Sequence, residues 1–171
     1  IMNEFYAKDT SKKIRAVWRS KSDKGERVSS AVPYGYMKSS DDSKQWIIDD
    51  AVADNVRYIF RLCLEGLGPT KIARRLEQEK IMTPTAYYLS VGRPTSNKKQ
   101  KGIYQWSENS VKHILENIQY TGCTVNFKTS VLSYKVHKTI YNDENDWQII
   151  PNTQKAIIDE GVVIKAGTVV N

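Results

Sequence analysis

The stretch between Asp49 and Gly66 constrains the fold of this chain more than any other. Val52, Val56, Ile59, Phe60, Cys63 and Leu64 recur at helical spacing and make a wide apolar stripe. Asp49 or Asp50 is placed to cap its start, and Gly66 to end it. A stripe this wide belongs to a core helix. Two further helices follow it. Pro69 stands at a first helical position, and the helix running to Glu79 turns Ile72, Ala73 and Leu76 inward and Lys71, Arg74 and Gln78 outward. Later, Ser107 caps a helix whose dry side is Val111, Ile114, Leu115 and Ile118. Its other side carries Asn109, His113 and Glu116, flanked by Ser110 and Lys112. Asn, Ser and Lys are side chains that read base edges and phosphates in a major groove. The plainer alternative is an amphipathic helix with a solvated face.

Three such helices predict a trihelical unit of the helix-turn-helix type. The departure is the connection between the second and third, where the usual turn has about three or four residues. From Thr85 to Gln105 no strong periodicity appears, and Gly92, Pro94 and Gly102 punctuate the run. Arg93, Lys98, Lys99 and Lys101 make it basic, so it reads as a long loop that orders on phosphates.

Upstream of the core helix, residues 3–22 read as a helix with only a narrow apolar seam of Ala7, Ile14, Val17 and Trp18. Lys12, Lys13, Arg15, Arg19, Lys21, Lys24 and Arg27 outweigh Asp23 and Glu26. Either an arm along a phosphate backbone or a solvated helix that has lost its packing partner fits that pattern. Gly25 to Val32 reads as a polar, flexible link. Pro33-Tyr34-Gly35-Tyr36-Met37 and Trp46-Ile47-Ile48 flank the turn-forming Ser39 to Ser43, a hairpin whose aromatics serve packing. After Tyr120 the period changes. Residues 121–127, 134–141 and 146–150 read as strands of a small antiparallel sheet, with a turn at Asn142-Asp143-Glu144-Asn145. The expected class is α+β, mainly helical: a helix-turn-helix-like trihelical unit with a small β-hairpin and a C-terminal antiparallel sheet. The expected division is a basic helix and linker over residues 1–27, the domain over 28–160, and a tail over 161–171.

Charge narrows the partners. The chain has 171 residues, with Lys+Arg 26 against Asp+Glu 19 and a net charge of +7, which suits a polyanion and nucleic acid first. No run of about 18 apolar residues exists, so no membrane span is expected. Cys63 and Cys123 sit in apolar patterns and read as reduced buried thiols. With His113 and His137 they lack the spacing of a zinc site, so neither metal nor cofactor is expected. A nuclease using Asp41, Asp42, Asp49 or Asp50 would need carboxylates converging on metal ions; these lie at a turn tip and a helix cap. Ile1-Met2 is not a natural start, which suggests a piece of a longer chain.

Taken together the chain resembles the large serine recombinases, the site-specific DNA integrases and resolvases of mobile elements, over Asn3 to Glu160. Asn3 to Asp9 with Ser11-Lys12-Lys13-Ile14-Arg15 is similar to the end of that family's long connecting helix. Pro33-Tyr34-Gly35-Tyr36 resembles the opening of its recombinase domain. Ile47-Ile48-Asp49, Ile59-Phe60, Gly66 with Ile72-Ala73-Leu76, Thr83-Pro84, Trp106-Ser107 with Val111-Ile114-Leu115, and Tyr120-Thr121-Gly122 follow in the family's order. Trp147 and Ala156-Ile157-Ile158 resemble its closing hairpin, and the run from Gly161 to Asn171 departs from the pattern.

The resemblance implies a DNA-binding module that follows a catalytic domain, in a cytoplasmic protein of bacterial or phage origin. The parent would cut DNA through a serine linkage and self-associate on its site, while the isolated module can stay monomeric. No residue here corresponds to the family's nucleophile, so no catalytic residue is expected in this chain. The alternative is a stand-alone helix-turn-helix transcription regulator. The candidate contacts to double-stranded DNA are Ser107, Asn109, Ser110, Lys112 and His113, with Lys71 and Arg74, the loop cations Arg93, Lys98, Lys99 and Lys101, and Lys12, Lys13, Arg15 and Arg19 of the arm.

Overall fold

The computed structural model of the chain describes residues 2–95, 102–133, 135–136, 138–163 and 166. Helix α1 (Met2–Asp23) leads into a hairpin of β1 (Tyr36–Lys38) and β2 (Trp46–Ile48). Four helices follow: α2 (Ala53–Leu64), α3 (Pro69–Gln78), α4 (Pro84–Ser90) and α5 (Glu108–Leu115). Short strands β3 (Thr124–Asn126), β4 (Thr129–Val131), β5 (Thr139–Tyr141) and β6 (Gln148–Ile150) complete the set. The chain is α+β and mainly helical, as the sequence patterns indicate. No described helix is long and apolar enough to cross a membrane.

The apolar stripes meet where they are expected to. Val56, Ile59, Phe60 and Cys63 of α2, Ile72 and Leu76 of α3, and Val111 and Leu115 of α5 are all sealed in one core. Helix α3 packs chiefly on α5, and both touch α2. Leu64 departs from its stripe and is 44% exposed, while Leu62 is buried. The helix ends there and the chain turns away at Gly66, whose φ is +94°.

Aromatic groups close the core from the hairpin side. Gly35 has φ +97°, and a Cβ on it would stand 2.9 Å from Val56 and 3.1 Å from Ile157. Only glycine lets Tyr34 and Tyr36 both turn inward here. Tyr120, 1% exposed, stacks on Tyr36 with centroids 6.1 Å apart and meets Phe60 edge-on. Its hydroxyl donates to the Tyr34 carbonyl at 2.7 Å, and the Tyr36 hydroxyl donates to the Lys155 carbonyl at 2.8 Å. Gly122 has φ +90° and passes so close to the Gln154 carbonyl that a Cβ would lie 2.6 Å from it.

Several local expectations need correction. The connection after α3 is not a bare loop, because Thr83 accepts from the Ala86 N–H and starts α4. That helix lacks a long apolar period and is held by rings: Tyr87 and Tyr88 meet Tyr34 at 6.1 and 6.4 Å, and Trp106 meets it at 6.1 Å. The return of the connection is stitched to its start, with Trp106 Nε1 donating to the Ile81 carbonyl at 2.8 Å and the Thr83 N–H to Ile103 at 2.9 Å. Neither Asp49 nor Asp50 caps α2 through its side chain; the cap residue is Val52. The buried Asp49 carboxylate instead accepts the Tyr87 hydroxyl at 2.8 and 3.0 Å.

The C-terminal strands form two separate antiparallel ladders, β3 with β6 and β4 with β5. Phe127, between β3 and β4, takes φ +61°, a left-handed backbone that a bulky residue rarely adopts and that breaks the strand. Asn142 to Asn145 therefore passes from one ladder to the other, through a single 3-10 turn at Glu144–Asp146, instead of closing a hairpin. Of the strand expected over 134–141, Thr139–Tyr141 forms β5, Lys135, Val136 and Lys138 stand outside it, and 134 and 137 lie outside the described residues. The link after α1 is pinned: Arg27 donates to the Lys44 carbonyl, Thr124 and Gln154, and the Val28 N–H donates to Asn126. In the tail, Val163 and Ala166 are buried against the core, and the Cys63 thiol lies 3.9 Å from the Ala166 carbonyl.

Burial pushes the Tyr34 and Tyr36 hydroxyls from 10.0 up to about 12, and Tyr120 well above 10.0. The folded chain holds these protons more tightly than the unfolded one. Their contribution is intact below pH about 10 and lost as pH rises towards 12. Thermal melts in alkaline buffers should therefore show the midpoint dropping above pH about 10. Tyr120→Phe should cost about 1 kcal/mol through the orphaned Tyr34 carbonyl. Gly122→Ala should cost more than about 1 kcal/mol. Wild-type stability at Gly122→Ala would refute the close-approach argument.

Candidate nucleic-acid interface

Helix α5 is short but fixed at its start. Ser107 accepts from the Ser110 N–H at 3.1 Å, and the two hydroxyls are 2.8 Å apart, so both candidates take part in the cap. Val111, Ile114 and Leu115 are buried beneath. Asn109 and His113 are exposed, and neither side chain has a hydrogen-bond partner among the described residues. They lie four residues apart and share one face of the helix.

A polar clasp joins α5 to α3. Thr70 donates to Glu108 Oε2 at 2.8 Å, and Lys112 Nζ pairs with Glu108 Oε1 at 2.8 Å. Lys112, then Thr70, hold the Glu108 carboxyl below the usual carboxylate range, and Glu108 raises the Lys112 ammonium. Lys112 is thus already engaged within the chain. Arg74, one turn along α3 from Thr70, and Lys71 are exposed and make no ion pair among the described residues. The fold brings Lys71, Arg74, Asn109, Lys112 and His113 onto neighbouring helices that pack together.

The other candidates are placed elsewhere. Arg93, expected in a loop free to meet phosphates, is committed to the protein. It donates to the Tyr36 and Val32 carbonyls at 3.1 and 3.4 Å and lies 4.3 Å over the Tyr88 ring. The tyrosines of α4 and the open carbonyls of the hairpin give it these partners. Lys98, Lys99 and Lys101 lie outside the described residues. On α1, Lys13 pairs with Asp9 at 2.9 Å, Arg15 donates back to the Ser11 carbonyl, and Arg19 sits 5.0 Å over the Phe127 ring. Lys12 is exposed and forms no ion pair among the described residues. The long-range partners of α1 are Asn126 of β3, Gln148 of β6, Phe127 beside β3 and, through Glu4, Lys135 between β4 and β5; none is on α3 or α5.

Sequence reading missed the positioning roles of Thr70 and Glu108. The Glu108–Lys112 spacing of four was the available signal, whereas nothing local announces Thr70. The four aspartates of the nuclease alternative do not converge. Asp42 accepts from the Lys44 N–H, Asp41 from Ser40, and Asp49 is covered by Tyr87. Among the described residues no group of three or more His, Cys, Asp or Glu side chains is placed to hold a metal ion.

Comparison with known proteins adds two findings. The family described as Recombinase matches residues 50–169. A solved structure described as the crystal structure of an LSR–DNA complex is similar in fold, with a TM-score of 0.51 and 14% sequence identity. That similarity covers 92% of this chain and 38% of the solved chain, so this chain spans well under half of that protein's length. No curated protein matches the sequence.

The two faces of α5 should separate in stability measurements. Leu115→Ala opens a cavity and should cost about 2–5 kcal/mol. Asn109→Ala, on the solvent side, should stay within about 0.5 kcal/mol of wild type. Denaturant melts of both variants would refute the face assignment if Asn109→Ala unfolds the chain and Leu115→Ala does not.

Proposed function

Because the chain belongs to the recombinase family, we propose that it is the DNA-binding module of a site-specific serine recombinase, recognising the recombination site of a mobile element. The observation that carries this reading is the pairing of Asn109 and His113 with Lys71 and Arg74. The first two are uncommitted groups of the kind that read base edges, on a capped helix. The second two are uncommitted cations, on the helix it packs against, of the kind that bind phosphate. Helix α5 is proposed to enter the major groove by its exposed face while α3 lies against the backbone. Lys12, Lys13, Arg15 and Arg19 of α1 would follow the phosphates beyond, and Lys98, Lys99 and Lys101 join the candidates by charge.

Strand cleavage is assigned to the parent recombinase and not to this chain. The parent is proposed to act in the cytoplasm and to self-associate on its site, with this module contributing recognition. The similar solved protein, described as a DNA complex, supports this reading through its fold.

A duplex selected by the chain from a randomised pool, measured beside a random duplex, tests the assignment. Asn109→Ala should weaken the selected duplex by about 1–3 kcal/mol and relax preference at one position. Lys71→Ala with Arg74→Ala should weaken both duplexes alike and flatten the salt slope by about one unit per lost contact. Unchanged sequence preference in Asn109→Ala would refute the reading role of α5. A covalent adduct between this chain and DNA on a denaturing gel would refute the division of labour.

A further inference from the structure

A second basic surface lies away from α3 and α5. A cleft of about 380 Å³ opens between the end of α1, the link after it and the β1–β2 hairpin. Lys21, Arg27, Lys38 and Lys44 line it, with the serines of the link and one carboxylate, Glu26. Lys21, Lys38 and Lys44 are exposed and form no ion pair among the described residues. Asp41 and Asp42 of the hairpin turn are engaged locally by Ser40 and the Lys44 N–H.

Arg27 is the unusual member. Its guanidinium lies 3.5 Å over the Trp46 ring, donates to the Lys44 carbonyl at 2.9 Å, and reaches Thr124 at 2.8 Å and Gln154 at 2.6 Å. Every one of these partners is neutral. Its Nε is buried without a partner among the described residues, and burial holds its pKa below the ordinary arginine range. Arg27 is half-buried, and a charge partly withdrawn from water is usually matched by an anion. The described residues give it none, while three more ammoniums line the same cleft and raise its potential.

We propose that this cleft seats a phosphodiester of the duplex backbone, with Lys38 and Lys44 contacting it and Arg27 fixing the hairpin that presents them. The proposal rests on the reading that the chain binds DNA, and adds a contact surface separate from α5. The chemistry favours backbone over bases: the Trp46 ring in the lining is covered by Arg27, which removes it as a stacking platform. The cleft also continues the cationic side of α1, which ends at Lys21 and the link beside it.

The test uses the whole chain. Lys38→Ala with Lys44→Ala, both at exposed positions, should leave the thermal midpoint in place. It should lower affinity for the selected and random duplexes by the same factor and flatten the salt slope by about two units. An unchanged slope, with wild type still binding duplex, would overturn the cleft assignment alone; failure of wild type to bind any duplex would overturn the DNA-binding reading as well. Titration with inorganic phosphate, followed by tryptophan fluorescence, separates the sources. A saturable response to free phosphate with no change in the variant's duplex slope would mean a free-anion site and refute the backbone seat.

Discussion

The hydroxyl of Tyr120 carries an obligation on which the rest of the structure depends. A phenol buried this deeply needs a partner, and it finds one in the Tyr34 carbonyl, across 86 residues of sequence. That bond, the stack on Tyr36 and the left-handed Gly35 and Gly122 hold the segment after α5 against the start of the hairpin. At its other end α5 is preceded by Trp106, bonded to the Ile81 carbonyl beyond α3. The helix is thus anchored by a buried aromatic on each side, and Val111 and Leu115 fix its rotation. The direction in which Asn109 and His113 face solvent follows from these buried contacts and not from anything on the exposed face itself.

The charge on that face is uneven in a way that bears on docking. Glu108 sits in the first turn of α5, where the helix dipole favours a carboxylate, and Lys112, then Thr70, hold its pKa below the usual carboxylate range. A polyanion approaching the start of α5 meets a carboxylate and a lysine already paired with it. One turn along α3 it meets Arg74 unpaired, with Lys71 beside it. The unpaired positive charge of that face is therefore displaced from the cap of α5 towards α3.

How much was legible in the sequence follows from how local each signal is. The stripes of α2, α3 and α5 repeat over two or more turns, so their cores and polar faces could be read directly. The hairpin was legible through its turn residues and flanking aromatics. Helix α4 was not, because seven residues held by ring edges leave no period to detect. Asp49 looked like a cap until Tyr87, distant in sequence, supplied its partner. One sheet was expected where Phe127 makes two ladders, and a left-handed Phe has no sequence signature. Arg27 and Arg93 read as surface cations. Their roles depend on carbonyls, rings and an amide contributed by other elements, which no local pattern encodes.

The same distinction between local and distant partners decides how α1 can act. At about 1.5 Å per residue a helix of 22 residues extends for roughly 33 Å, yet only Ser22, near its end, is buried. Ser22 donates to Gln148 and accepts from Asn126, whose amide also bonds the Glu26 carbonyl. This network fixes the point from which the helix departs. The ion pair of Glu4 with Lys135 is exposed at both ends, and such pairs are worth at most about 1 kcal/mol. Any angular play at the fixed end grows with distance along the helix. Arg19, stacked on Phe127 within a turn of Ser22, has a defined place. Lys12, about 10 Å further along the axis, is exposed and forms no ion pair among the described residues. The root of the arm is thus placed by one buried serine and the asparagine that binds it.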